Sequence, residues 1–392
     1  MEFRFAKRMD GLSGNAIRDI FKLLSNPEII SFAGGNPAAS ALRDDFVREL
    51  ADEVLRRDGK RILQYGATEG YPALLESVAE FVKTAGIQTD PASVLPVTGS
   101  TQGMDLLCKV LIDPGDVILV ERPTFLGAMH TMKIFGADIR SIEMDAEGVI
   151  PEDLEEKIER FRPKFVYLIP TFQNPTGRTL PVERRKRIAQ IAAQYQTVIL
   201  EDDPYRDLRY EGTPLPSIAS FDTSGYVVYV ASFSKTMSPG MRVGALIVRS
   251  PELHRKLVIC KQGGDLHTPN LTQAICDAYL RSGKLPQHLK EAIESYRVQM
   301  NTMLNGLKAL PEGVSCVKPE GGLFIWLDLP KGIDAAALLP TAANAGVAYV
   351  AGALFYAQDG KPNSMRLNFS LCTPDKIERG MNILGEVLKN AL

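Results

Sequence analysis

The feature that most narrows the folds open to this chain is a series of short, uninterrupted apolar runs set between helical patterns. Val117–Val120, Phe165–Ile169, Val198–Leu200, Tyr226–Val230 and Ala245–Val248 consist of aliphatic, β-branched and aromatic residues with no polar alternation. A strand wetted on one face alternates apolar and polar residues, whereas a strand buried on both faces does not. Helical spacing appears at Asn15–Leu24, Leu42–Arg57, Tyr71–Ala85, Thr101–Ile112 and Pro181–Tyr195. Such alternation predicts an α/β architecture around a mostly parallel sheet. From about Lys284 the texture changes. A long helical pattern, Leu285–Leu310, leads to strands Phe324–Leu329 and Met365–Phe369, with helices at Ala335–Ala345 and Pro374–Leu388. The expected organisation is therefore an N-terminal arm over 1–45, a large α/β domain over 46–290 and a smaller α+β domain over 291–392.

Composition excludes several functions. Lys and Arg number 45 against 47 Asp and Glu, a net charge of −2, which argues against a general nucleic-acid or membrane-surface binder. The 5 cysteines form no CxxC pair, and none of the 4 histidines has metal-ligand spacing to another His or Cys. No metal centre or disulfide framework is expected, and the cysteines read as reduced thiols of a cytoplasmic protein. The first residues, Met1-Glu-Phe-Arg-Phe-Ala-Lys-Arg8, lack the apolar core of a secretory signal. Ala335–Ala357 carries no charge, but Pro340, Thr341, Asn344 and Gly346 interrupt it. It reads as a helix, a Gly-Val turn and a short buried strand rather than a membrane span.

Four segments carry chemistry. Ser232-Phe-Ser-Lys-Thr-Met-Ser-Pro-Gly-Met-Arg-Val-Gly244 follows a core strand, which places Lys235 where α/β sheets bind ligands. An amine among small hydroxyl residues, with Arg242 close by, suits a nucleophile beside a phosphate. Ser232–Lys235 also fits the S-x-x-K pattern of serine β-lactamases, but the S-D-N and K-T-G strings which that chemistry needs are absent. Pro170-Thr-Phe-Gln-Asn-Pro-Thr-Gly177 forms a tight turn presenting Asn174. In Leu200-Glu-Asp-Asp-Pro-Tyr205, extended backbone would turn Asp202 to the face opposite Glu201 and Asp203, where a carboxylate suits a cationic ring nitrogen. Val97-Thr-Gly-Ser-Thr-Gln-Gly103 opens a helix, whose first N–H groups can bind phosphate. It is neither a Walker A loop nor a dinucleotide fingerprint.

Together, in this order and spacing, these segments resemble the fold-type I pyridoxal-phosphate-dependent aminotransferases of class I/II, from about Ser13 to Leu388. The resemblance implies a seven-stranded, mostly parallel sheet between helices, pyridoxal 5′-phosphate as cofactor, and a homodimer with shared active sites. It further implies a ping-pong exchange of an amino group between an amino acid and a 2-oxo acid. Lys235 would form the internal aldimine, with Ser232, Ser234, Arg242 and the amides of Ser100 and Thr101 on the phosphate. Asn174 and Tyr205 would reach the ring oxygen, Asp202 the ring nitrogen, and Phe125 would stack on the ring where many relatives carry tyrosine. Tyr65 would be lent to the other subunit's phosphate, Arg366 would hold the substrate carboxylate, and Asn174 would also contact the substrate. The segments Gly14–Leu24 and Ile30–Pro37 are similar to the 2-aminoadipate and kynurenine aminotransferase branch. There Gly35 would line the site and Arg18 would read a distal carboxylate, with aromatic, branched-chain and dicarboxylic amino acids all open as substrates. A cysteine-S-conjugate β-lyase shares the same active-site set. A transcriptional regulator reusing the fold would need a DNA-binding domain ahead of it.

Overall fold

The computed structural model describes residues 3–10, 12, 26 and 28–392. The helix expected at Asn15–Leu24, and Arg18 with it, lies outside the described residues.

Seven strands form the main sheet: β1 (Val94–Val97), β2 (Val117–Glu121), β3 (Asp138–Ile142), β4 (Phe165–Leu168), β5 (Val198–Asp202), β6 (Val227–Ser232) and β7 (Gly244–Ile247). Their order is β1-β7-β6-β5-β4-β2-β3. β7 runs antiparallel to both β1 and β6, and the remaining neighbours are parallel. The apolar runs read as doubly buried strands are so. Phe165, Tyr167, Leu200, Val228, Val230 and Leu246 pack into one apolar cluster. Their chain neighbours Val166, Leu168, Ile199, Val227, Tyr229 and Ile247 pack into another on the opposite face. The strand Asp138–Ile142 escaped the sequence reading because it lies at the sheet edge, where Asp138, Arg140 and Ser141 break the apolar run.

A second sheet of three antiparallel strands follows: β8 (Phe324–Asp328), β9 (Val350–Ala351) and β10 (Ser364–Asn368), with β10 central. The helix Ala335–Ala345 stops at Gly346, whose φ of 101° supplies the left-handed cap. Ile30–Ser31 pairs in parallel with Val347–Ala348, which ties the N-terminal segment to this half of the molecule. Among the described residues no helix is long and apolar enough to cross a membrane.

The strand order decides where chemistry can gather. β2, β4, β5 and β6 point the same way, so Glu121, the turn after β4, Asp202 and Ser232 end at one edge of the sheet. Two reversals bring Val97 at the end of β1 opposite Gly244 at the start of β7, and Gly244 opposite Ser232. The Thr98–Thr101 turn and Arg242 therefore arrive at that same edge.

Candidate active site

At that edge lies a cavity of about 350 Å³. Pockets of this size accommodate a small cofactor with substrate. Its lining includes Ser100, Thr101, Phe125, Asn174, Asp202, Tyr205, Ser232, Ser234, Lys235, Arg242, Arg366 and Gly35. Tyr65 does not line it. That side chain is 80% exposed, edge-on to His267 at 6.2 Å between ring centres.

Lys235 follows β6 and reaches into the cavity, where its Nζ donates to the Gly35 carbonyl at 2.8 Å. Burial, and then the charges of Arg366 and Arg242, push its ammonium down to about 8. The three acids at the end of β5 divide as strand alternation requires. Glu201 accepts from the backbone N–H groups of Ile218 and Ala219 at 2.8 Å each, and Asp203 accepts from the Tyr229 hydroxyl at 3.1 Å. Asp202 faces the cavity, and its Oδ2 accepts from the Tyr167 hydroxyl at 2.8 Å. Its Oδ1 is buried with no partner among the described residues. Burial raises the Asp202 carboxyl to about 7, although the Tyr167 bond and the Lys235 charge oppose the rise.

The opposite end is cationic. Arg366, central in its sheet on β10, is buried, and burial pushes its guanidinium down to about 10. Its Nη2 donates to the carbonyls of Ala33 and Gly34 at 2.8 and 3.0 Å, and its Nη1 to Asn174 Oδ1 at 2.9 Å. The guanidinium lies over the rings of Phe324 at 4.3 Å and Phe355 at 5.0 Å. Asn174 Nδ2 donates to the Tyr205 hydroxyl at 3.5 Å, and burial raises that phenol well above its ordinary range.

A third corner is built for an anion. Gly99, at φ 77°, begins the helix Ser100–Leu111, so the first N–H groups of that helix face the cavity. A Cβ on Gly99 would lie 2.5 Å from Arg242 Nη2, which itself donates to the Thr98 carbonyl at 3.2 Å. Ser232 and Ser234 are buried beside it. Phe125 precedes the helix Leu126–Ile134, and its ring fills the space that a Cβ on Gly127 would occupy.

Sequence reasoning missed Tyr167 and the aromatic pair Phe324 and Phe355. Tyr167 carries the one hydroxyl in Phe165–Leu168, a signal easily passed over as core. The two phenylalanines lack any local mark, since only the fold brings them under Arg366.

Residues 27–384 match the family Aminotransferase class I and II. This chain belongs to that family. It is 39% identical to aromatic-amino-acid aminotransferase 1 of Thermococcus litoralis, over 99% of this chain and 94% of that one. It is also 39% identical to the 2-aminoadipate transaminase of Thermus thermophilus, over 99% of this chain and 97% of the relative. Among solved structures it is similar to the kynurenine aminotransferase of Pyrococcus horikoshii, with a TM-score of 0.95, 38% identity and coverage of 99% and 97% of the two chains. Class I and II aminotransferases are pyridoxal-phosphate enzymes, and the cavity of this aminotransferase fits that cofactor. It offers an amine on Lys235, an orphaned carboxylate oxygen on Asp202 for a ring N–H, and an anion corner at Ser100, Thr101 and Arg242.

Proposed function

We propose that this aminotransferase moves an amino group between an L-amino acid and a 2-oxo acid by a ping-pong mechanism. The substrates in view are 2-aminoadipate, glutamate, and aromatic and branched-chain amino acids. The carrying observation is the set Lys235, Asp202, Asn174 and Arg366 around one cavity, with an anion corner at its side. When bound, pyridoxal phosphate supplies the electron sink that loosens a Cα proton.

The chain's own residues do the rest. Ser100, Thr101, Ser232, Ser234 and Arg242 bind the phosphate through backbone N–H groups, hydroxyls and a guanidinium. Asp202 Oδ1 would take the ring N–H, Asn174 and Tyr205 would hydrogen-bond the ring oxygen, and Phe125 would cover one ring face. Arg366 attracts the substrate carboxylate, and Asn174 and Gly35 help to fix the pose, so that the Cα–H bond stands beside Lys235. Lys235, lowered to about 8 in the free site, exists partly as the neutral amine at working pH and would take up and return the Cα proton.

The reading extends to assembly. We assign Tyr65 to a second subunit's phosphate corner; its exposure and its absence from the lining of its own cavity support this assignment and, with it, a homodimer with shared sites. We assign the enzyme to the cytoplasm. We divide it into the arm 1–45, the cofactor domain 46–290 and the small domain 291–392, with the helix Lys284–Gly306 carrying the chain between the last two. Arg18 is proposed to read a distal carboxylate.

The test is a half-reaction screen. Each amino acid is mixed with holoenzyme, and the visible absorbance of the bound cofactor is followed without any 2-oxo acid. Loss of the band, and its return on adding a 2-oxo acid, supports the reading. Release of ammonia and pyruvate with the band intact marks a lyase instead. Unchanged 2-aminoadipate and glutamate turnover in Arg18→Ala removes the distal-carboxylate role.

A further inference from the structure

Tyr167 and Asp202 stand on adjacent parallel strands. Tyr167 on β4 lies opposite Leu200 on β5, and Asp202 is two residues further along, on the same face of the sheet. A tyrosine leaning toward the C-terminal end of its strand spans that diagonal, and the hydroxyl meets Asp202 Oδ2 at 2.8 Å. Both residues are buried, Tyr167 completely. The carboxylate thus has one oxygen occupied by the Tyr167 hydroxyl and one, Oδ1, with no partner among the described residues.

The surroundings make that single bond matter. Asp203 and burial both push Asp202 toward its neutral form, and Lys235 pulls the other way. Glu121 is also buried nearby, with its carboxyl raised to about 8 by burial, and Gln173 Nε2 donates to it at 3.0 Å. The Tyr167 phenol is itself driven well above its ordinary range by burial and by the Asp202 charge, so it keeps its proton throughout the working pH range and has it to donate to Oδ2. A donor to a carboxylate favours the ionised form. It also restrains the rotation of the carboxyl group, because a bond to Oδ2 leaves Oδ1 as the oxygen free for another donor.

We infer that Tyr167 is a positioning residue: its hydroxyl keeps the Asp202 carboxylate ionised and aims the free Oδ1 at the cofactor's ring nitrogen. The inference rests on the proposed placement of that nitrogen at Asp202. It assigns a role to a side chain that makes no contact with the substrate.

The experiment compares wild type and Tyr167→Phe, each full-length, stripped of cofactor and reconstituted in two ways. One reconstitution uses pyridoxal phosphate; the other uses its carbocyclic analogue, in which C–H replaces the ring nitrogen. Apparent dissociation constants are measured for both. For the natural cofactor the Phe variant is expected to bind about tenfold more weakly, the scale of one hydrogen bond to a charged group. Its visible band is expected to titrate about one pH unit higher, because a ring nitrogen with a weaker counter-charge withdraws fewer electrons. Its kcat should fall while KM for the amino donor holds. For the analogue the two proteins should agree within about twofold, because the route through the ring nitrogen is missing. Analogue binding also serves as the check that the variant's site is folded.

Equal losses with both cofactors would reduce Tyr167 to a packing residue and overturn the inference. So would identical affinities and identical titrations in the two proteins. A wild type that does not distinguish the cofactor from its analogue would overturn the Asp202 placement, and the inference with it. The two failures are therefore separable.

Discussion

Lys235 and Lys261 are both drawn out of bulk water, and they are held in opposite ways. Lys261, on the helix Pro251–Gly264, is fully buried, and its Nζ lies 2.9 Å from each oxygen of Asp265 and 3.0 Å from Gln102 Oε1. Gln102 Oε1 in turn accepts from the Thr98 N–H at 2.7 Å, so this lysine props the turn that opens the anion corner. Lys235 hydrogen-bonds to one neutral acceptor, the Gly35 carbonyl; the charges of Arg366 and Arg242 add to the effect of burial, and Asp202, which it does not hydrogen-bond, opposes them least strongly of these groups. Burial lowers both ammonium groups, and at Lys261 the bond to Asp265 and its charge oppose that fall. A buried lysine given a carboxylate stays charged and structural. One placed beside cations gives up its proton near neutral pH and becomes reactive.

Exchanging the two roles is the severest test. Lys235→Ala should lower half-reaction turnover by at least about 10³-fold, the upper range for a proton-transfer group, and remove the cofactor's visible band. Lys261→Met should leave the band in place and instead cost about 2 kcal/mol in urea unfolding, because Asp265 and Gln102 lose their shared cation. Comparable turnover losses in the two variants would break the distinction.

A pH series sharpens it further. In stripped enzyme, capture of added pyridoxal phosphate needs the neutral Lys235 amine. The capture rate should climb through about 8 and then level off. Arg366→Gln removes a cation that lowers Lys235, so the midpoint should move upward by about half to one pH unit. A midpoint unmoved by that change would remove Arg366 from the groups that set the amine, leaving burial and Arg242.

The smallest effect concerns stability. Lys235 titrates lower in the fold than its ordinary 10.5. Its burial therefore opposes folding fully below about 8, and the opposition fades as pH rises through 10.5. Stripped Lys235→Met should be more stable than stripped wild type by about 1 kcal/mol at pH 7, with the gain gone at high pH. The corresponding change at Lys261 should have the opposite sign.

Much of this was legible along the chain. The unbroken apolar runs marked strands covered on both faces, because such a face has no water to keep polar residues on. The strand-to-loop junctions after those runs located Asn174, Asp202 and Lys235. Asp138–Ile142 went unread because an edge strand loses the apolar signature, and Tyr167 because its hydroxyl looks like core until Asp202 stands beside it. The sequence marked Lys235 by the strand before it and the hydroxyls and Arg242 around it, but nothing along the chain showed that Lys261 would be buried against Asp265 and Gln102.

The sequence by itself determined the family, the sheet and the identity of the groups that meet at its edge, since each is written in local pattern and spacing. The tertiary structure alone decided what each group becomes there. Lys235 meets Gly35, Arg366 meets Ala33 and Gly34, and Lys261 meets Gln102 across well over a hundred residues of chain. Proton affinity follows from burial and from the charges a few ångströms away, and those neighbours are chosen by the fold rather than by the order of residues.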